Sequence, residues 1–231
     1  MRLLIVSDIH ANWAALGAIP ADADAVVFLG DAVSYGPLPA ECVAWIRRNA
    51  TVAVRGNHDH AIAFGEDPRC SPAFRNMATA TLAWHTTLLT DEDKAYLGSL
   101  PLTASFEFAG ATFFAVHGSP RDPLYRYVHG DPLEAVLLQE LEGISADVVL
   151  MGHTHLPYAR RLSRGLVLNP GSVGQPKHGR PTACYATWDD GAVELHQIEY
   201  SVEAAVRRLE AAPLPAKEMQ ELIGVLRTGR I

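Results

Sequence analysis

The feature that most constrains this chain is a set of five short apolar segments, each followed directly by polar residues. The segments have the length of strands and show little alternation of polar and apolar residues, which indicates strands covered on both faces. Helical stretches separate them, so the pattern predicts an α/β fold. The five segments are Leu3–Val6, Ala25–Leu29, Thr51–Val54, Thr112–Val116 and Val148–Met151.

Residues that can bind a metal follow each of these segments. Asp8 and His10 come after the first segment, and Gly30-Asp31 comes after the second. Open α/β sheets bind ligands at the carboxyl ends of their strands, where these side chains would meet. The candidate metal ligands are Asp8, His10, Asp31, Asn57, His117, His153 and His155.

The chemistry of this set favours a pair of transition-metal ions. Imidazole, carboxylate and amide groups without a thiolate suit manganese, iron, zinc, cobalt or nickel better than a structural cysteine-based zinc site. Seven ligands exceed the needs of one ion, and a carboxylate can bridge two ions that lie roughly 3.5–4 Å apart. Each motif alone is a common turn, so the prediction depends on all five occurring in order along one chain.

The rest of the chain predicts helices around these strands and no boundary between domains. We expect one domain over residues 1–231, with a helical insertion at about 60–100 and a C-terminal helical extension at about 201–231. Helices are predicted at Pro39–Arg48, Ser71–Leu89, from Thr90, after a capping box at Asp131-Pro132-Leu133-Glu134, at Ser201–Ala212 and at Ala216–Thr228. A meander of mostly antiparallel strands is predicted at Tyr158–Leu162, Leu166–Leu168, Thr182–Trp188 and Ala192–Ile198.

Composition narrows the partners and the location of the protein. A net charge of −7 at pH 7 disfavours binding to duplex nucleic acid or to an anionic membrane. The three cysteines are widely spaced without a Cys-x-x-Cys pair, and no uninterrupted apolar run reaches the ~18 residues of a membrane span. The sequence therefore predicts a soluble, cytoplasmic protein, and the apolar stripes of its last two helices leave a homodimer open.

The ordered motifs resemble those of the calcineurin-like metallophosphoesterase family. They are Asp8-x-His10, Gly30-Asp31, Gly56-Asn57-His58-Asp59, His117 and Gly152-His153-x-His155, and the resemblance extends to about Trp188. The stretches 30–37 and 169–176 are similar to a small bacterial and archaeal branch of phosphodiesterases and diadenosine-tetraphosphatase-like proteins. The resemblance implies a four-layer α/β/β/α sandwich with two packed mixed sheets and the metals at one edge.

The resemblance also implies a role for each matching residue. Asp8, His10, Asp31 and His155 would hold the first ion, and Asp31, Asn57, His117 and His153 the second, so that Asp31 bridges. Two divalent ions are implied, with manganese expected first and iron, zinc, cobalt, nickel or magnesium as alternatives. A bridging hydroxide would attack phosphorus in line, His58 would act as general acid, and Asp59 would orient His58 through a hydrogen bond.

The sequence leaves the substrate open among small phosphorylated compounds, nucleotide derivatives included. A phosphodiester is expected first, with a phosphomonoester or a dinucleoside polyphosphate as alternatives. Arg121, Tyr125 and Arg126 are candidates for a phosphate clamp or a base stack, although an exposed loop explains them equally. Lys177 and His178 would lie near the mouth of the site. Two other classes stay open, a non-catalytic metal-binding scaffold and a single-metal hydrolase acting on carbon centres.

Overall fold

The chain alternates strands with helices from end to end. The structure, a computed structural model, describes residues 1–129 and 133–230. Its strands are β1 (Arg2–Val6), β2 (Ala25–Phe28), β3 (Val52–Ala53), β4 (Thr103–Phe108), β5 (Ala111–Val116), β6 (Val148–Leu150), β7 (Tyr158–Leu162), β8 (Gly165–Asn169), β9 (Ala183–Asp189) and β10 (Ala192–Ile198). Its helices are α1 (Trp13–Leu16), α2 (Pro39–Asn49), α3 (Asn57–Phe64), α4 (Arg75–Leu88), α5 (Asp91–Ser99), α6 (Glu134–Glu140), α7 (Val202–Glu210) and α8 (Ala216–Thr228).

These strands form two mixed sheets of five strands each. The first sheet has the order β10-β9-β1-β2-β3, in which β1, β2 and β3 are parallel and β9 and β10 pair antiparallel. The second has the order β4-β5-β6-β8-β7, with three parallel strands at its centre and an antiparallel strand at each edge. Each sheet therefore presents the carboxyl ends of neighbouring parallel strands along one edge.

The two sheets pack face to face, and helices cover their outer faces. Leu3 and Ile5 of β1 lie in one buried cluster with Leu150 of β6. Leu4 and Val6 alternate to the opposite face and pack against residues of α1 and α2, and α6 covers the outer face of the second sheet. Both faces of β1 are thus buried, which explains its continuous apolar sequence. The predicted α/β sandwich of four layers is confirmed.

Two predicted boundaries are wrong. The helix predicted at Ser71–Leu89 begins only at Arg75, because the preceding residues close a turn in which the Phe74 N–H donates to the Ser71 carbonyl at 3.0 Å. The strand predicted at Thr51–Val54 is confined to β3, since only its two residues pair in register with β2. Both errors shorten an element without moving the residues that follow it.

The predicted meander of the last third is also wrong. β7 and β8 form a hairpin in the second sheet, whereas β9 and β10 form a hairpin in the first. Residues 170–182 carry the chain between the sheets, because β8 pairs in parallel with β6 and β9 pairs antiparallel with β1. The capping box predicted at 131–134 begins outside the described residues, and α6 starts at Glu134.

Three helices, α3, α4 and α5, occupy most of the segment interpreted as a helical insertion. Met77 and Ala78 on the inner face of α4 lie in a buried cluster with Val206 of α7 and Leu222 of α8. Tyr35, from the loop after β2, belongs to the same cluster. Helix α4 therefore packs between the C-terminal helices and a loop at the edge of the first sheet. Within the described ranges, each helix is too short or too polar to cross a membrane.

Candidate metal centre

Seven acidic, amide and imidazole side chains converge where the edges of the two sheets meet. They are Asp8 and His10 after β1, Asp31 after β2, Asn57 at the start of α3, His117 after β5, and His153 and His155 after β6. All seven are buried, with no more than 3% of any residue exposed. The structure therefore brings together every residue that the sequence suggests as a metal ligand, from both sheets.

The backbone at most of these positions has an unusual conformation. Positive φ angles occur at Asp8 (52°), His10 (46°), Asp31 (65°), His153 (64°) and His155 (61°). For residues other than glycine this region costs on the order of 1–3 kcal/mol each, and it persists where the surrounding structure enforces it. The loops are tied together by backbone hydrogen bonds, such as that from the Asp8 N–H to the carbonyl of residue 30 at 2.9 Å. Strain concentrated on candidate ligands is typical of a functional site.

Gly30 allows the loops from different strands to approach closely. Its φ is +96°, and a Cβ atom there would lie 2.6 Å from the backbone nitrogen of Gly56 and 2.8 Å from Nδ1 of His117. A larger residue would therefore displace both the loop before α3 and a candidate ligand.

The side chains form two groups of three. In the first, Nε2 of His155 lies 3.2 Å from Oδ1 of Asp8 and 3.1 Å from Nε2 of His10. In the second, Nε2 of His117 lies 3.3 Å from Oδ2 of Asp31 and 3.1 Å from Nδ1 of His153. Asn57 joins the second group, with its Oδ1 2.9 Å from the same nitrogen of His117. The same Asp31 oxygen is 3.8 Å from Nε2 of His10, so one carboxylate oxygen faces both groups.

Backbone carbonyls determine which nitrogen of three histidines faces the centre. Nδ1 of His10 donates to the Val33 carbonyl at 2.8 Å, and Nδ1 of His155 donates to the Gln175 carbonyl at 2.6 Å. Nδ1 of His117 donates to a carbonyl in the same way. In the neutral rings Nε2 then carries a lone pair, as in metal-ligating histidines whose other nitrogen is held by a carbonyl.

This arrangement fits divalent cations. The Nε2 atoms of His10 and His155 are only 3.1 Å apart, and both are acceptors in the neutral rings. Oδ1 of Asp8 is a third acceptor nearby, buried without a hydrogen-bond partner among the described residues. Facing lone pairs repel one another, whereas a cation that all three ligate makes each contact favourable.

The electrostatics of the centre agree with this fit. Burial lowers the pKa values of His10, His153 and His155 and so favours the neutral rings that ligation requires. Burial also acts to lower the pKa of His117, but the Asp31 carboxylate outweighs it and raises that pKa to about 9. A cation bound beside Asp31 would displace this proton, because metal ligation and protonation compete for the same lone pair.

His58 lies beside the two groups without belonging to either. Its Nε2 is 4.0 Å from Oδ2 of Asp31 and 3.4 Å from the Tyr35 hydroxyl, and its Nδ1 is 2.8 Å from Oγ of Ser34. Burial lowers the pKa of His58 to about 4. Ser34 and Tyr35 were not among the candidate residues of the sequence analysis, although they lie in the stretch 30–37 that carries part of the resemblance.

The expected hydrogen bond from Asp59 to His58 is wrong. Asp59 accepts instead from the backbone N–H groups of Asp31 at 2.7 Å, Ala32 at 2.8 Å and Gly56 at 3.1 Å. Its carboxylate thereby caps α3 and fixes the loop that carries Asp31. These three backbone donors occupy the carboxylate oxygens of Asp59, so Asp59 does not orient His58. The residue that does so is Ser34.

The candidate substrate residues lie on the loop after β5 and are engaged by other side chains. Arg121 pairs with Glu142 at 3.4 Å, and Nε of Arg126 donates to the buried Glu140 at 2.8 Å. The ring of Tyr125 lies under the guanidinium of Arg69, 4.6 Å from its centroid. In the same loop it is Tyr127 that reaches the centre, since its ring centroid is 3.9 Å from that of the candidate ligand His153.

The chain is similar in sequence and in fold to proteins of one family. A family model for the calcineurin-like phosphoesterase superfamily domain matches residues 1–191. The uncharacterized protein MJ0912 of Methanocaldococcus jannaschii is 29% identical over 236 residues, 92% of this chain and 93% of that protein. The phosphodiesterase YfcE of Escherichia coli is 26% identical over 213 residues, 84% of this chain and 91% of that protein. The crystal structure of a metallophosphoesterase from Sphaerobacter thermophilus is 32% identical, with a TM-score of 0.79 and coverage of 96% of this chain and 98% of that one.

Proposed function

The chain belongs to the calcineurin-like phosphoesterase superfamily, and we propose that it is a phosphodiesterase that uses two divalent metal ions. The observation that carries the proposal is the pair of buried ligand groups that share one oxygen of Asp31. Two groups with a carboxylate between them match what a dinuclear centre requires. The arrangement also favours two ions over the single ion of a hydrolase acting on carbon.

Each ion would be held by four side chains of the centre. Asp8, His10, Asp31 and His155 would hold one ion, and Asp31, Asn57, His117 and His153 the other. Manganese is the ion we propose first, and iron, zinc, cobalt, nickel and magnesium remain alternatives because the donor set accepts them too. When bound, such a pair supplies a water with a lowered pKa and neutralises charge on the phosphoryl group.

His58 would act on the oxygen that leaves phosphorus. Burial lowers the pKa of His58 to about 4. At neutral pH both ring nitrogens are therefore protonated only when an anion lies beside the ring. A phosphoryl group bound at the centre is such an anion, and it would raise this pKa toward the range in which a histidine donates protons. Ser34 holds Nδ1 and leaves Nε2 directed toward Asp31.

The choice of a phosphodiester is supported by one relative. YfcE of Escherichia coli, which is similar over most of its length, is named a phosphodiesterase. Phosphomonoesters and dinucleoside polyphosphates are the alternative substrates, because the same metal set serves many phosphorylated compounds. A non-catalytic scaffold is the alternative from another class. Against it, none of the seven ligand positions is replaced in this chain.

The experiment combines metal analysis with hydrolysis of bis-p-nitrophenyl phosphate in the presence of manganese. We expect two ions per wild-type chain, loss of metal in Asp31→Asn, and full metal content with a kcat lowered by about 10²–10⁴ in His58→Ala. His196→Ala is the matched control, since this partly buried histidine of β10 binds Thr187 away from the centre. Metal binding without hydrolysis of either diesters or monoesters would refute the proposal and support a scaffold.

A further inference from the structure

Lys177 differs from the other lysines of the chain in the surroundings of its ammonium group. Lys94 lies 3.4 Å from Asp91, and Lys217 lies 3.9 Å from Glu221. No carboxylate oxygen of the described residues lies within 4.0 Å of the Lys177 ammonium, whose direct contact is the ring of Phe74, 4.2 Å from its centroid. A largely buried cation without a close anion is costly, so the position calls for an anionic ligand.

The loop that carries Lys177 is tied to the metal centre. The Gln175 carbonyl accepts from Nδ1 of His155 at 2.6 Å, and the Gln175 N–H donates to Oγ of Ser172 at 2.8 Å. Oγ of Ser172 in turn donates to the Asp8 carbonyl at 2.8 Å. Both side-chain amide atoms of Gln175 are buried and have no hydrogen-bond partner among the described residues. The loop is therefore fixed in place while presenting polar groups that the described protein does not satisfy.

Lys177 lies on the side of the centre where His58 and Tyr35 lie. The Phe74 ring that contacts its ammonium lies 6.1 Å from the Tyr35 ring, and the Tyr35 ring lies 5.0 Å from that of His58. Burial lowers the pKa of Lys177 to about 8, and Asp8 and Asp31 act against this by stabilising the protonated form. Those two carboxylates are candidate metal ligands, so bound cations would cancel their attraction for the ammonium. With the metals present, an anion at the centre becomes the counter-charge that Lys177 needs.

We propose that Lys177 binds an anionic oxygen of the substrate's phosphoryl group and thereby favours phosphates of higher negative charge. An ammonium with three donors is suited to phosphate as a compact point charge. The contact rests on the proposed function, because it concerns the same centre. It predicts that loss of Lys177 weakens binding of a phosphate dianion more than binding of a diester monoanion, since the attraction scales with charge.

The test uses full-length protein reconstituted with manganese and checked for metal content. Lys177→Gln and Lys177→Met remove the charge, Lys177→Arg keeps it, and Lys217→Gln is the matched control. Isothermal titration calorimetry with inorganic phosphate gives the first readout. We expect the Kd to rise about tenfold or more in the Gln and Met variants, and to stay within about threefold in the Arg variant and the control.

Two substrates give the second readout. The ratio of kcat/KM for p-nitrophenyl phosphate to that for bis-p-nitrophenyl phosphate should fall at least about threefold on removal of the charge. A charge-free variant that keeps its metal and binds phosphate as tightly as wild type overturns the proposal, and so does a wild type that binds no phosphate. A wild type that binds phosphate but cleaves neither substrate refutes the phosphoesterase function, and the Kd comparison then decides the role of Lys177 alone.

Discussion

The molecule contains two kinds of fully buried histidine: one kind holds the backbone of a loop, and the other is a candidate metal ligand. His85, on α4, is satisfied at both nitrogens, because Nδ1 accepts from the Ser34 N–H at 3.1 Å and Nε2 donates to the Gly36 carbonyl at 2.9 Å. His10 and His155 are satisfied at Nδ1 alone, and their Nε2 atoms, both acceptors in the neutral rings, face each other at 3.1 Å. Burial is common to both kinds, so unmatched lone pairs, not burial, distinguish the candidate ligands.

His85 is also connected to the centre, through the loop that contacts His58. His85 and Thr81 of α4 bind the backbone of residues 34 to 36, with the Tyr35 N–H donating to Thr81 Oγ1 at 3.0 Å. That loop presents Ser34 to His58. Ser34 and Tyr35 have φ angles of 72° and 64°, which a free loop would avoid. Helix α4 therefore supports the residue beside the candidate general acid, while the strand ends support the candidate ligands.

The largest expected effect is the loss of metal affinity when a histidine with an unmatched Nε2 lone pair at the centre is changed. Metal binding of about 10–16 kcal/mol, the range for a structural zinc ion, divided among four ligands gives ~2.5–4 kcal/mol per ligand, or on the order of 10²–10³-fold in affinity. We expect that loss for manganese in His155→Ala, measured by competition with a fluorescent chelator. His85→Ala should change the affinity by less than about fivefold. Equal losses in the two variants would contradict the distinction.

For the free energy of unfolding we expect the opposite order, with the larger effect in His85→Ala. His85→Ala leaves the Ser34 N–H and the Gly36 carbonyl without partners in a buried site and opens a cavity. The free energy of unfolding should fall by about 2–3 kcal/mol, measured by urea titration in the presence of a chelator. His155→Ala under the same conditions should cost less than about 1 kcal/mol, because it also removes a pair of facing acceptors. A larger loss in His155→Ala would show that the centre, and not α4, supports the fold.

How well a feature of the fold or of the candidate site could be predicted from the sequence depends on how far apart its interacting residues lie along the chain. The α/β class and the convergence of the candidate ligands could be predicted because each strand and the residues after it are adjacent in the chain, and the family resemblance is confirmed. The partner of His58 could not be predicted, because Ser34 is 24 positions away and α4 holds the loop that carries it. The assignment of β7–β10 to one meander failed for the same reason, since pairing with β1 or β6 is decided by distant strands.

The pH dependence of stability gives a third, smaller contrast. Burial lowers the pKa of His85 to about 4, whereas the unfolded chain binds that proton near pH 6.5. Unfolding therefore takes up a proton between these values, and the free energy of unfolding falls as the pH falls through this window. From pH 7 to pH 5 the loss through His85 is about 2 kcal/mol. Glutamine does not titrate, so between pH 7 and pH 5 the free energy of unfolding of His85→Gln, measured by urea titration, should fall by about 2 kcal/mol less than that of the wild type. Equal losses in the variant and the wild type would refute the assignment.

The smallest effect concerns the link between the two regions, Ser34. Its hydroxyl is 2.8 Å from Nδ1 of His58, so Ser34→Ala leaves the ring without its orienting contact but leaves the ligands in place. We expect kcat for bis-p-nitrophenyl phosphate to fall about fivefold, in line with the ~1 kcal/mol of one hydrogen bond, with KM and metal content unchanged. Ser34→Thr, which keeps the hydroxyl, should recover most of the rate. Because Ser34 acts through His58, Ser34→Ala should have no further effect on kcat in a His58→Ala background, whereas an additive loss would mean that Ser34 acts on the centre by another route.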